Sequence, residues 1–279
     1  MTDHSPVSKR VETSFFAGSK PRVLAHRGLS FVGSKALIGE NATPSIDENS
    51  IQAFITAQDA GAQLIESDLQ VTKDGVAVLF HDDDLARVAG VKRRVRDLSL
   101  ADLQKVTLEF GARIPTLREA LIALPSAKFN LDFKVSGVIV PAVRIIQELG
   151  AQERVLVASF SDRRRRKALR LLGGRAVTSA GSFTLLRLWL AAKFGNQAAV
   201  NRIAEGVNAL QIPTHSGKLN FSSPEFISAM QTAGLELHYW TINEPEQMLE
   251  LLRLGADGLV TDRADLAVDV VDRFRRFGA

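Results

Sequence analysis

The order of apolar segments along the chain constrains its fold more than any other feature of the sequence. Short, β-branched apolar runs alternate with longer segments that have the apolar periodicity of helices. This alternation predicts a parallel sheet with helices packed outside it, and eight strand–helix units match an α/β fold, the (β/α)8 or TIM barrel. We predict the barrel strands at 23–26, 64–69, 129–134, 155–160, 176–179, 209–213, 235–241 and 258–261.

Helical periodicity fills most of the segments between these strands. The predicted helices cover residues 50–60, 116–124, 138–149, 162–172, 183–194, 224–233, 245–254 and 265–274.

One segment departs from the alternation. The Asp-Gly pair at 74–75 is typical of a hairpin turn, so residues 76–80 are predicted to run back as an extra antiparallel strand. Residues 82–115 follow as a small insertion after the second strand and its hairpin. We therefore expect an N-terminal extension at 1–21 and a single barrel domain at 22–279.

Composition excludes several classes of protein. The chain has no cysteine, which rules out a disulfide scaffold, a cysteine nucleophile and a thiolate zinc site. The formal net charge of +4 comes with many acidic residues, so we expect no nucleic-acid partner. We see neither a signal peptide nor a long enough apolar run for a membrane span, because Arg187 and Lys193 interrupt the nearest candidate. The default expectation is a cytoplasmic protein.

Candidate functional residues are sought at the carboxyl ends of the predicted strands, where such barrels carry their chemistry. The first strand ends in His26-Arg27-Gly28. An imidazole can move protons near neutral pH, and a guanidinium can hold a phosphate with two hydrogen bonds. Taken alone, this tripeptide is better explained as a solvated strand end.

Acidic residues follow on the next barrel strands. Glu66 and Asp68 share one face of the second strand, and two carboxylates in apolar surroundings need a positive partner. A divalent metal would satisfy them, and oxygen-only ligands favour Mg²⁺ or Ca²⁺; a solvent-facing acidic pair is the alternative. On the third strand, Asp132 can complete a three-carboxylate site, while Lys134 can bind an anion or balance the acids.

Three further positions have two interpretations each. The hairpin turns His81 back towards the carboxylates, although a histidine leaving an apolar strand is more often a packed core residue. Glu48 and Asn49 precede the first helix: Asn49 or Ser50 is a good N-cap, and Glu48 suits the positive end of the helix. Trp240 ends the seventh strand as a wall for a sugar or lipid, or as barrel core.

Several blocks of sequence contain these residues in a fixed order. Together they resemble the glycerophosphodiester phosphodiesterase family over nearly the whole chain from residue 22 onward. The blocks are AHRG at 25–28, ENSIQAF at 48–54, GAQLIESDLQVTKDGVAVLFHDDDLARV at 61–88, IPTLREAL at 114–121, LDFK at 131–134, WTIN at 240–243 and GADGLVTDRADL at 255–266.

The resemblance implies metal-dependent hydrolysis of a glycerophosphodiester to an alcohol and glycerol 3-phosphate. It implies that His26 and His81 are the acid/base pair and that one divalent cation, Mg²⁺ or Ca²⁺, is bound. The family most often has glutamate where this chain has Asp132, so the shorter side chain puts the position of the metal in question. The implied metal ligands are Glu66, Asp68 and Asp132, and the implied substrate-binding residues are Arg27, Glu48, Asn49, Lys134 and Trp240.

Two alternatives stay open for the function. One is a lysophospholipase D-type action on lysophospholipids, and the other is a barrel that binds phosphoglycerides or a protein partner without turnover. The predicted helix from Phe183 to Phe194 is apolar on most of its circumference and carries Arg187 and Lys193. It suits peripheral contact with a membrane or an acyl chain, although burial between neighbouring helices is the simpler explanation. The oligomeric state stays open.

Overall fold

A nearly closed ring of eight parallel strands forms the centre of the computed structural model, which describes residues 14–31 and 45–278. The described strands are β1 Arg22–His26, β2 Leu64–Val71, β3 Ala77–Leu79, β4 Asp84–Leu85, β5 Val91–Arg94, β6 Phe129–Phe133, β7 Val155–Ala158, β8 Val177–Thr178, β9 Ala209–Ile212, β10 His215–Ser216, β11 Leu219–Asn220, β12 Glu236–Tyr239 and β13 Gly258–Thr261.

The eight strands predicted for the barrel are all present, and they pair in the order β8-β7-β6-β2-β1-β13-β12-β9. A parallel bridge between Ser179 and Ala209 joins the two ends of this order. The predicted (β/α)8 barrel is therefore confirmed.

Helices connect the barrel strands, as the apolar periodicity predicts. Good capping residues set several of the helix starts: Ser50 caps α1, and Thr116 and Glu119 form a capping box on α4. The helices α2, α3 and α8 were not predicted. The described helices are α1 Ile51–Asp59, α2 Ala86–Ala89, α3 Leu100–Leu103, α4 Leu117–Ala123, α5 Ile139–Glu148, α6 Asp162–Leu171, α7 Ser182–Lys193, α8 Gln197–Ile203, α9 Pro224–Thr232, α10 Pro245–Leu254 and α11 Ala264–Phe277.

The predicted hairpin is also confirmed. Strand β3 pairs antiparallel with β2, with Leu69 opposite Leu79. The insertion that follows has a small core of its own, in which Val78 and Phe80 pack with apolar residues up to Ile114. Two further hairpins were not predicted: β4–β5 in the insertion, and β10–β11 after β9, whose strands have only two residues each.

Part of the predicted N-terminal extension packs against the barrel. Residues Ser14–Phe16 form a 3-10 turn, and Phe15 and Phe16 are buried against Leu24 and Leu64 of the barrel strands. Residues 1–13 lie outside the described residues.

A buried ion pair links two strands that are not neighbours. Arg22 on β1 donates from Nε to Glu236 Oε2 over 2.7 Å and from Nη2 to Oε1 over 3.0 Å. His238 Nε2 lies 3.1 Å from the same carboxylate. Burial alone would raise the pKa of Glu236, but the hydrogen bonds from His238 and Arg22 outweigh it and lower the pKa to about 2. Glu236 is therefore ionised at neutral pH and depends on these partners.

We predict that Arg22→Ala lowers the free energy of unfolding by about 3 kcal/mol, because the charge of Glu236 stays buried without its main partner. Urea denaturation measures this change. The control is Arg144→Ala, which removes an exposed pair with Glu148 and should change the free energy of unfolding by about 0.5 kcal/mol or less. Equal losses of unfolding free energy in the two variants would contradict the claim that burial makes the loss of Arg22 more costly.

Candidate active site

The strand register brings the predicted polar residues together at one end of the barrel. His26 at the end of β1 lies opposite Glu66 of β2, and Asp68 of β2 lies opposite Asp132 of β6. Neighbouring parallel strands in register present paired residues on the same face, so these side chains point into one region.

A cavity of about 490 Å³ opens at these strand ends. Its volume falls in the range of small-molecule sites. Among the described residues, Glu48 and Asn49 are not in its lining. Eight of the ten predicted site residues do line it: His26, Arg27, Glu66, Asp68, His81, Asp132, Lys134 and Trp240.

Lys134 is the centre of the charged cluster. Its Nζ lies 2.8 Å from Asp68 Oδ1 and 2.8 Å from Asp132 Oδ2. Burial would raise the pKa of Asp68, but Lys134 and Arg27 lower it, whereas burial outweighs Lys134 at Asp132 and raises its pKa. Asp68 is therefore the more firmly ionised of this pair.

Glu66 has the least positive surroundings of the three carboxylates. Its burial, together with the negative charge of Asp68, raises its pKa to about 8. His26 and Lys134 oppose this increase and do not overcome it. Without a further cation, Glu66 is therefore largely protonated at neutral pH.

The donor set fits a hard divalent cation. It consists of carboxylate oxygens, and Oδ1 of Asp132 is buried without a hydrogen-bond partner among the described residues. Glu66 also needs positive charge to ionise. Lys134 bridges two of the three carboxylates, Asp68 and Asp132. Residues 14–31 and 45–278 contain no preformed group of three metal-binding side chains.

His26 is held by an acidic partner that sequence reasoning missed. Its Nδ1 lies 2.6 Å from Asp262 Oδ1, and Asn243 donates to the other oxygen of Asp262 over 2.8 Å. Burial would lower the pKa of His26, but the hydrogen bond to Asp262 and the charge of Glu66 raise it. When Nδ1 carries a proton directed at Asp262, Nε2 is the ring nitrogen that can exchange a proton with the substrate. This Nε2 lies 4.0 Å from Glu66.

His81 has a similar arrangement. Its Nδ1 lies 2.6 Å from Asp82 Oδ1, and Arg87 donates from Nε to the second oxygen of Asp82 over 2.7 Å. A carboxylate at Nδ1 again leaves Nε2 as the free ring nitrogen. The two histidines on the cavity wall therefore have equivalent partners.

Arg27 is positioned by the backbone and by Glu48. Its φ angle of 59° is unusual for a residue other than glycine, and its Nη1 donates to Glu48 Oε1 over 3.0 Å. The following Gly28 has no room for a Cβ atom, which would lie 2.7 Å from the backbone of Ala53. Glu48 also pairs with Arg87, so it orients the guanidinium from outside the cavity.

Asn49 supports the acidic cluster from behind. It donates to Asp68 Oδ2 over 3.4 Å and accepts from Ser67 Oγ over 2.6 Å. The cap of α1 is Ser50, whose Oγ accepts from the backbone of Ala53.

Two amides in the cavity wall were also missed. Asn130 Oδ1 and Gln211 Nε2 are buried without hydrogen-bond partners among the described residues. Both lie inside predicted strands, where an amide resembles any other inward-facing residue. Asp262, in contrast, directly follows β13, so the rule that chemistry lies at strand ends could have found it.

Another part of the cavity wall is apolar. Trp240 packs edge-on against Phe160 with ring centroids 6.2 Å apart. Phe160 was not predicted, and Lys134 Nζ lies 5.9 Å from its ring. Leu185 and Leu186 of α7 and Leu219 of β11 extend this wall. The cavity therefore joins a charged half to an apolar half.

Comparisons with known proteins place the chain in one family. Residues 26–266 match the model of the glycerophosphoryl diester phosphodiesterase family. A curated protein of Mycobacterium tuberculosis, named "Probable glycerophosphodiester phosphodiesterase 2", is 42% identical over 224 residues, covering 80% of this chain and 84% of that protein.

Solved structures show the same fold. A glycerophosphodiester phosphodiesterase from Parabacteroides distasonis has a TM-score of 0.70 and 19% identity, covering 92% of this chain and 100% of that chain. A phosphodiesterase from Oleispira antarctica, in complex with the product sn-glycerol-3-phosphate, has a TM-score of 0.69 and 22% identity, covering 91% and 97%. With the family match, these findings identify the chain as an enzyme of the glycerophosphoryl diester phosphodiesterase family.

Proposed function

We propose that this protein hydrolyses glycerophosphodiesters to an alcohol and glycerol 3-phosphate with the help of one divalent cation. The observation that carries the proposal is a single cavity with two histidines, each with a carboxylate at Nδ1, beside an acidic and basic cluster. The family and the 42% identical relative support the same substrate class.

The substrate is an anion, so the site must first attract and hold it. Arg27 and Lys134 both line the cavity, and Nε of Arg27 lies 3.5 Å from Asp68 Oδ2. Burial would lower the pKa of Lys134, but Asp68 and Asp132 raise it, which keeps its ammonium group charged. Two fixed cations would bind the phosphate and stabilise the negative charge that grows on its oxygens.

Glu66, Asp68 and Asp132 are the residues that would hold the divalent cation. When bound, such an ion supplies Lewis acidity at a phosphate oxygen. Asn49 keeps Asp68 in place through its amide. These three residues lie on strands rather than on loops, so their backbone has little freedom to move.

The two histidines are the proposed acid/base pair. One Nε2 accepts the proton of the attacking hydroxyl or water, while the other protonates the leaving alkoxide. Asp262 and Asp82 hold Nδ1 of His26 and His81 and fix the orientation of each ring. These contacts at Nδ1 are the same whichever of the two histidines is the acid and whichever is the base.

A second candidate is hydrolysis of lysophospholipids to lysophosphatidic acid. The apolar wall of the cavity favours it, because Phe160, Leu186 and Trp240 offer contacts to an acyl chain. Mass spectrometry of the products distinguishes the two activities: glycerophosphocholine yields glycerol 3-phosphate, whereas lysophosphatidylcholine yields lysophosphatidic acid.

Replacing either catalytic histidine should nearly abolish turnover. We predict that His26→Ala and His81→Ala each lower kcat on glycerophosphocholine by about 10²–10⁴-fold, because each loses a proton transfer. The matched control is His215→Ala, an exposed histidine on β10 that is not in the described cavity lining. Near-normal turnover by both cavity variants would refute the assignment.

Asp262 is a positioning residue for His26, and its substitution should act on kcat. We predict that Asp262→Asn lowers kcat by about tenfold to 10³-fold with little change in KM, because the ring loses its anionic partner. The side chain of Asp262 is 33% exposed, so water limits the loss. Asp272→Asn on α11, outside the described cavity lining, should leave kcat unchanged. A rise in KM alone would contradict this role.

The divalent cation can be tested by removal and by titration. We predict that EDTA abolishes activity and that Mg²⁺ or Ca²⁺ restores it. Asp132→Asn should weaken binding of the ion at least about tenfold in isothermal titration calorimetry, together with activity, because it loses a charged ligand. Asp102→Asn on the exposed helix α3 is the control. An unchanged titration would remove Asp132 from the ligand set.

A further inference from the structure

Helix α7 presents an apolar stripe to solvent. Phe183, Leu186, Leu190 and Phe194 are 62%, 40%, 41% and 78% exposed, although each is a large hydrophobic residue. At about 100° per residue, their spacing places them within an arc of about 80° on one side of the helix. We call these four residues the α7 stripe.

The other sides of α7 are packed, so the stripe is not needed to hold the helix. Thr184 and Leu188 are buried, and Trp189 donates from Nε1 to the backbone oxygen of Asn220 over 3.0 Å. Trp189 is therefore half-buried, and the exposed residues show that α7 is not buried on all sides between its neighbours.

Positive charges flank the stripe on both edges. Arg187 lies 5.9 Å from the ring of Phe183, and Lys193 lies 4.9 Å from the ring of Trp189. From Ser182 to Lys193 the sequence has no acidic residue. An apolar stripe between two cations is complementary to an anionic lipid surface, where rings enter the interface and cations meet headgroups.

The stripe begins at the mouth of the cavity. Leu186 belongs both to the stripe and to the apolar cavity wall, and Phe160, another residue of that wall, is 58% exposed. An apolar surface therefore continues from the exposed helix to the region beside Lys134. Among the helices of residues 14–31 and 45–278, none has the length and apolar character needed to cross a membrane.

We propose that the α7 stripe docks the protein onto the surface of an anionic phospholipid bilayer, with the cavity mouth beside the lipid. Delivery of membrane-presented diesters to the site rests on the proposed function, whereas docking itself does not. A second copy of the chain is a poorer occupant, because two such stripes packed face to face would bring cations against cations.

Vesicle co-sedimentation tests the docking. The wild-type protein should bind vesicles of equimolar phosphatidylglycerol and phosphatidylcholine, and bind pure phosphatidylcholine vesicles more weakly. Phe183→Ser with Phe194→Ser should weaken binding at least about tenfold, because two rings no longer enter the interface. Arg187→Glu should weaken binding to anionic vesicles while sparing the weaker binding to pure phosphatidylcholine.

Matched changes elsewhere provide the controls. Phe277→Ser removes another exposed phenylalanine, and Arg253→Glu reverses another exposed charge, on α11 and α10. Both should bind vesicles like the wild type. Failure of the wild type to bind, equal losses in the controls, or a dimer in solution that depends on the stripe would overturn the proposal.

Kinetics separate docking from the proposed function. The double phenylalanine variant should keep kcat/KM on soluble glycerophosphocholine within about twofold, because neither residue lines the described cavity. Its hydrolysis of lysophosphatidylcholine in anionic vesicles should fall about tenfold. Unchanged hydrolysis in vesicles would overturn delivery from the membrane, whereas a wild type inactive on both diesters would refute the proposed function and leave the binding test valid.

Discussion

The buried carboxylates on β2 and β6 are the constraint on which the rest of the site depends. Parallel register places Asp68 beside Asp132, with Glu66 two residues earlier on the same face. Buried like charges repel one another unless cations compensate them. Lys134 compensates two of these acids, and the raised pKa of Glu66 shows where compensation is incomplete. The position of this deficit matches the place where the proposed divalent cation would add charge.

The same electrostatic requirement organises the residues behind the cavity. Glu48 binds both Arg27 and Arg87, and Arg87 in turn binds Asp82, the partner of His81. A chain of alternating charges therefore links Arg27, which we propose binds the phosphate, to His81. Glu48 and Asp82 do not need to touch the substrate to influence it, since they fix the groups that do.

The sequence predicted the barrel from its local pattern, and it predicted most of the charged half of the site from strand-end residues together with the family resemblance. Alternating strands and helices imply which strand ends meet, and the Asp-Gly turn implies where His81 returns. Asn130 and Gln211 could not be found this way, because an amide in a strand shows no local sign that it lacks a partner. The apolar character of α7 was visible in the sequence, but which of its residues face solvent depends on the packing of Leu188 and Trp189.

The two halves of the cavity come from different parts of the chain. The charged groups lie on β1, β2 and β6 or on the hairpin between them, whereas the apolar wall follows β7, β8, β9 and β12. The three carboxylates therefore lie on strands that are hydrogen-bonded on both sides. The wall is built from segments that can change in length and composition without disturbing the acidic cluster. Such a division lets the class of substrate vary while the attack on the phosphodiester stays the same.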